Sequence, residues 1–240
     1  MRTVENARWT MEFDRGGGVY ESVRLDGCEF DNCGLSLVKS PERMSLVRDV
    51  VLSGCRVTDS EIGPCLFQDV VVDGLTTNPT LSIWSAFFRR VTLVGKVGKI
   101  NINTAPSAFF KDADVLDAFA EARRDFYEHT DWALDISEAR FVDLSCSGVP
   151  LDKIRRDPES QFILERAAFD DFALVAEDFK ERFRELHYSI VSFLESDREQ
   201  ELLVVPLAAP RARRAAWSDG LEELRLRGFV EGAERAASPS

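Results

Sequence analysis

Few residues of this chain have the type and spacing that chemistry requires. The two histidines are His129 and His187, and the five cysteines are Cys28, Cys33, Cys55, Cys65 and Cys146. A thiolate nucleophile needs a base beside it, and sequence spacing alone leaves open whether either histidine meets a cysteine in space. No C-x-x-C pair or Cys/His cluster with zinc-ligand spacing occurs. His129 falls at the end of a helical pattern, where a polar group satisfies the last carbonyls, and His187 flanks an apolar stripe; both positions suit structural roles. Asp112, Asp114 and Asp117 are close enough in sequence to suggest a cation site, but no glycine loop shapes them, so they read as a solvated helix face. Gly16-Gly17-Gly18 is followed by neither Gly-Lys-Ser/Thr nor a helix, and it reads as a turn instead of a phosphate loop. The expectation is a chain without catalytic residues, metal or cofactor.

Four of the cysteines share a different property: each opens a block of five. Val50–Gly74 divides into VVLSG, CRVTD, SEIGP, CLFQD and VVVDG, with a bulky apolar residue third (Leu52, Val57, Ile62, Phe67, Val72) and a small or apolar one first. Neither a helix nor a strand brings every fifth residue to one side, because five helical steps rotate by roughly 140° and an odd number of strand steps reverses the face. The chain must bend once per block. The register returns at Val23–Leu37 (Leu25, Phe30, Leu35), Leu81–Gly95 (Ile83, Phe88, Leu93) and Leu134–Lys153 (Ile136, Phe141, Leu151), giving fifteen blocks that cover 75 of 240 residues. First-position cysteines then serve as small apolar fillers.

These blocks, ARFVD and CEFDN most closely, resemble the pentapeptide-repeat family. The resemblance implies a right-handed quadrilateral β-helix, four blocks to the coil, and covers architecture more than activity. The fold expected is mainly β with added helices, a pentapeptide-repeat solenoid carrying an inserted helix and C-terminal helices. Some members of that family are acidic duplex mimics that bind or protect DNA gyrase, which gives one alternative function.

The domains follow from where the register stops. Residues 1–103 read as an N-terminal cap and β-helix, in which Ala7–Asp14, with Trp9 and Phe13 on one side, forms a hairpin with the following strand through the triple glycine. Residues 38–49 and 75–80 read as loops bulging from a corner, the kind of position where binding commonly resides. Residues 104–132 hold an amphipathic helix at Ser107–His129 with Phe109, Ala113, Leu116, Phe119, Ala120, Phe126 and Tyr127 on its apolar side. The β-helix resumes over 133–157. Residues 158–230 read as helical, with one long helix carrying Phe172, Val175, Phe179, Phe183, Leu186, Ile190 and Phe193. An apolar stretch at Leu202–Leu207 suits an added strand, Ala208–Ala216 a linker and Ser218–Arg227 a short helix. Residues 231–240 carry the composition of a disordered tail.

Net charge is −12, and residues 19–103 hold 10 acidic against 9 basic side chains while 104–200 hold 23 against 12. The repeats are therefore nearly neutral and the excess lies in the helical parts. Such charge repels phosphates, so direct nucleic-acid binding is not expected, and gyrase mimicry would require the charge along the repeats. No apolar run approaches the ~20 residues of a membrane span, and the N-terminus lacks a signal-peptide core, which places the expected protein in the cytoplasm. The leading expectation is a non-catalytic interaction module whose partner is a protein, a basic one being favoured by the acidic charge, contacted through Asp114, Asp117, Glu121, Asp125 and Glu128. A homodimer through the C-terminal helices and an enzyme with a cleft built by the two loops are the alternatives.

Overall fold

A computed structural model describes residues 1–108, 112–169 and 176–230, and divides into two compact units, 1–156 and 157–240. The first is mainly β. Its strands are β1 (Arg2–Glu5), β2 (Arg8–Thr10), β3 (Val19–Asp26), β4 (Glu29–Asp31), β5 (Gly34–Leu35), β6 (Ser45–Thr58), β7 (Glu61–Ile62), β8 (Cys65–Asn78), β9 (Leu81–Trp84), β10 (Phe87–Asn103), β11 (Leu134–Asp135), β12 (Ala139–Cys146) and β13 (Ile154–Arg155). All thirteen belong to one large, curled, parallel sheet. One helix, α1 (Ala113–Glu128), interrupts it, and a short 3-10 turn occupies Pro41–Arg43.

Pairing recurs at 20 or 21 residues and lengthens where segments are added. Leu46 pairs with Leu66, 20 residues on, and Leu66 pairs with Phe87, 21 on; Leu134 pairs with Ile154, again 20. The step is 27 from Val23 to Val50, where residues around Pro41–Arg43 are added, and 43 from Val91 to Leu134, where α1 is added. Both insertions leave the sheet and return to it in register.

The bend once per block has a backbone cause. Left-handed residues recur at five-residue intervals: Ser22, Gly27 and Asn32; Asp49, Gly54 and Asp59; Asp69 and Gly74; Ser85, Arg90 and Gly95. Most are Gly, Asn, Asp or Ser, and Gly, Asn and Asp in particular tolerate positive φ. Strand pairing continues through the corners, since the N–H groups of Gly27, Asn32 and Asp59 donate to Ser53, Thr58 and Asn78 carbonyls at 2.8–2.9 Å. The first and third residues of a block lie on one face of each straight edge, the second and fourth on the other. First-position Cys28, Val50, Cys55, Cys65, Val70, Ala86, Val91 and Ala139 are buried. Among third-position residues Ile83, Phe88, Ile136 and Phe141 are buried, whereas Leu25, Phe30, Leu35, Leu52, Val57, Ile62, Phe67, Val72, Leu93 and Leu151 are half-buried.

Cysteine suits the first position for a second reason. Its thiol donates to a carbonyl of the preceding rung, Cys55 to Leu25 at 3.3 Å and Cys65 to Ser45 at 3.1 Å. All five cysteines are free thiols, and burial lifts the Cys65 thiol far above its ordinary range.

The second unit contains β14 (Gln161–Glu165) paired antiparallel with β15 (Gln200–Val204), and helices α2 (Ala176–Arg182), α3 (Arg184–Leu194) and α4 (Arg211–Leu226). Its core joins Leu164, Phe179, Phe183, Leu186, Ile190, Phe193, Trp217, Leu221 and Leu224. The Arg166 guanidinium crosslinks the end of α3, donating to the Leu194 carbonyl at 2.8 Å and the Arg198 carbonyl at 2.9 Å.

Several expectations are corrected. Residues 2–10 pair in parallel with Val23–Asp26 and Glu29–Asp31, so there is no hairpin; the chain reaches its partners after a full step, not a reversal. Of the two expected loops, residues 45–49 begin β6 and residues 75–78 end β8, with Ser45 opposite Cys65 and Thr58 opposite Asn78. The long C-terminal helix is two, broken at Phe183 with φ −130° and ψ 53°, and Phe172 and Val175 lie outside the described residues. The supposed linker at 208–216 largely belongs to α4, whose buried Trp217 anchors it. Helix α1 starts later than expected, at an Asp112 cap whose carboxylate accepts from the Asp114 N–H at 3.1 Å; Phe109 lies outside the described residues, and Ala113 and Ala120 are exposed. No helix among the described residues is long and apolar enough to cross a membrane.

Candidate functional site

The outward side of the sheet is mostly polar, because second-position side chains such as Arg24, Glu29, Arg56, Glu61 and Arg140 point there. Many of its charges are paired across rungs: Arg8 with Asp31 at 2.6 Å, Arg56 with Glu29 at 3.7 Å, Arg90 with Asp69 at 2.6 Å, and Arg48 with Glu21. One outward column is different. Val19, Leu46, Leu66 and Phe87 stand opposite one another on β3, β6, β8 and β10.

Helix α1 sits over the Phe87 end of this column. Its period brings Phe119, Phe126 and Tyr127 toward the sheet: Phe119 is wholly buried, the Phe126 ring lies 5.3 Å from Phe87, and Tyr127 Oη accepts the Phe88 N–H at 3.2 Å. Burial raises the Tyr127 phenol well above its ordinary range. Arg123 ties the helix down further, donating to Ser85 Oγ at 2.7 Å and to the Thr104 carbonyl at 2.6 Å. Burial lowers the pKa of this guanidinium.

Beyond Phe87 the helix stops covering the column, and a groove of about 410 Å³ opens. Pro41 and Met44 form one wall, Leu46 and Leu66 lie in its floor, Ala122, Asp125 and Phe126 come from α1 and His129 from its C-cap, with Arg89 beside Phe87. The 38–49 segment and the inserted helix, both expected to carry binding, therefore meet here. His129 Nδ1 lies 2.9 Å from the Asp125 carbonyl oxygen. That hydrogen bond, together with the Asp125 and Glu128 charges, raises the His129 pKa above its ordinary value, and Arg89 opposes the rise. Asp125, Glu128 and His129 each bring one ligand-capable atom within 4.8 Å of the others, all three on exposed side chains. His187 stands on α3 in the second unit, half-buried.

A separate internal polar cluster surrounds Asp14. Its carboxylate accepts from Ser45 Oγ at 2.5 Å, the Gly16 N–H at 2.9 Å and the Ser36 N–H at 3.2 Å. Ser36 in turn donates to the Pro64 carbonyl. The cluster pins one corner of the sheet.

Asp114, Asp117, Glu121, Asp125 and Glu128 are all exposed. At 100° per residue they fall within a sector of about 80°, a single stripe about 21 Å long. No ion pair among the described residues includes any of the five, in contrast to the paired carboxylates of the sheet. Compared with known families, proteins of known function and solved structures, the chain matches none.

The groove was not foreseen from sequence, although a signal existed. Block position two is outward and normally polar, so Leu46, Leu66 and Phe87 at that position mark an apolar outer column that something must cover.

Proposed function

We propose that this chain is a non-catalytic protein-interaction module, in which a scaffold of the pentapeptide-repeat kind, a right-handed quadrilateral β-helix, holds α1 outward toward a basic protein partner. The architecture is supported by the pairing step of 20 or 21 residues and by left-handed corners at five-residue intervals. The functional reading rests on one observation: five carboxylates form an exposed, unpaired stripe on a helix whose other side is fixed to the sheet. Unpaired like charges in a row repel one another and weaken the helix slightly, so the arrangement gains stability when a cationic surface covers it. Such a stripe also steers encounter with a basic partner, an effect that salt screens.

The test is capture with the immobilised intact chain and with a variant carrying Asp114→Asn, Asp117→Asn, Glu121→Gln, Asp125→Asn and Glu128→Gln. The expected result is a basic protein retained by the first, released by moderate salt and missing from the second. The same proteins retained by both would refute the reading.

A further inference from the structure

The groove carries a second, separate feature in Arg89. In the outward column next to Val19–Leu46–Leu66–Phe87 stand Glu21, Arg48, Gln68 and Arg89, opposite one another on the same four strands. The first three are satisfied: Arg48 donates to Glu21, and Gln68 Nε2 donates to Asp69 at 3.1 Å. Arg89 is not. Its Nε is a buried atom without a hydrogen-bond partner, one of two such side-chain atoms among the described residues, and its guanidinium lies over the Phe126 ring at 4.6 Å from the centroid. Its neighbour Arg90 takes the nearby acid, holding Asp69 at 2.6 and 2.9 Å.

A guanidinium lying over an aromatic face can still present its edge N–H groups to a planar anion, the geometry that carboxylates fit best. The unpartnered Nε marks a guanidinium that the acids of the sheet leave incompletely satisfied, while Arg89 itself lines the groove. Beside this guanidinium lie Leu46, Leu66 and Met44, which are apolar and half-buried. An apolar wall, one convergent cation and a volume of about 410 Å³ are together the make-up of a small-molecule site.

We infer that the groove binds a small amphiphilic monocarboxylate, its carboxylate on Arg89 and its aryl or alkyl body along Leu46 and Leu66. The site meets the acidic stripe at Asp125 alone: Arg89 belongs to the sheet, and the stripe residues Asp114, Asp117, Glu121 and Glu128 do not line the groove.

The experiment is a titration of the intact protein with 2-naphthoate, followed by chemical-shift changes and calorimetry, with the neutral 2-naphthamide as control. Saturable binding of naphthoate is expected, with shifts at Phe87, Arg89, Phe126 and His129, and the amide weaker by roughly tenfold or more, as loss of a charged hydrogen bond implies. Arg89→Gln should weaken naphthoate by a similar factor and leave the amide unchanged. Ala122→Trp, which fills the groove without touching the cation, should abolish both. Equal binding of acid and amide, no saturation by naphthoate, or insensitivity to both substitutions would overturn the assignment. So would binding of an acidic peptide in place of naphthoate, which would give the groove to a partner's side chain. A fourfold variant, Asp114→Asn, Asp117→Asn, Glu121→Gln and Glu128→Gln, leaves the groove residue Asp125 intact and separates the two proposals: capture of a basic partner should fall there while naphthoate binding persists.

Discussion

Tyr127 Oη accepts the backbone N–H of Phe88 at 3.2 Å, and this bond joins the inserted helix to the sheet at the point where β10 begins. Both groups are buried, so the hydroxyl replaces water that the Phe88 N–H has lost. Tyr127→Phe keeps the ring and leaves that donor unsatisfied. A loss of about 1–3 kcal/mol is expected in urea melts, with unchanged β dichroism; an unaltered midpoint would mean that the bond contributes nothing to holding α1.

Two glycines separate strain from collision. Gly54 has φ +60° with nothing within 4 Å of an added Cβ, whereas a Cβ at Gly63 would collide with the Ser36 carbonyl. Gly54→Ala should cost about 1 kcal/mol, the left-handed penalty alone. Gly63→Ala should cost clearly more, because backbone must move. Comparing the two by thermal melts checks the corner geometry; an equal loss would contradict it.

Stability should fall in alkali, beginning near pH 9. Burial, with Asp14 nearby, raises the Cys65 thiol above its ordinary value of 9.0, and burial also raises Cys55 and Tyr127. Below that value the thiols are neutral folded and unfolded, and pH has no effect through them. Above it the unfolded chain ionises first, so stability is lost as pH rises toward the folded value, by at most about 1.4 kcal/mol per pH unit for each group. Cys65→Ala should flatten the profile between pH 9 and 10, as measured by urea melts across that range.

Helix α1 leaves and rejoins the sheet in register, with Val91 opposite Leu134 and Gly95 opposite Ala139. Replacing 107–129 by a Gly/Ser linker should therefore preserve the β dichroism, since closing a loop of altered length changes the entropy only slowly. Loss of the buried Phe119 and Tyr127 should lower stability by several kcal/mol. A chain that no longer folds would make the helix part of the sheet's own core.

The period of five was legible because it is a property of backbone geometry: one left-handed residue ends most blocks, and Gly54, Asp59, Asp69 and Gly74 are residue types that accept that conformation. The amphipathic helix was legible for the same local reason. The hairpin expected at Ala7–Asp14 was not found, because alternation in Trp9, Met11 and Phe13 fixes a strand and says nothing of its partner. Residues 75–78 looked like a loop because Thr76, Thr77 and Asn78 lack apolar character, yet pairing with Arg56–Thr58 on one side fixes them as strand. The acids of α1 were visible as a charged face, whereas their lack of partners depends on which arginines the sheet consumes. The groove needed the register that sets Leu46, Leu66 and Phe87 side by side, together with Arg89 left over by Arg90, and neither relation is local in sequence.

The most direct test of the account is the affinity of the captured partner for intact protein and for the fivefold-neutralised variant, measured by calorimetry at two salt concentrations. The expected result is at least a tenfold loss on neutralisation at low salt, with a salt dependence that is steep for the intact chain and shallow for the variant. Equal affinities with equal salt dependence would contradict the claim that the α1 stripe is the binding surface.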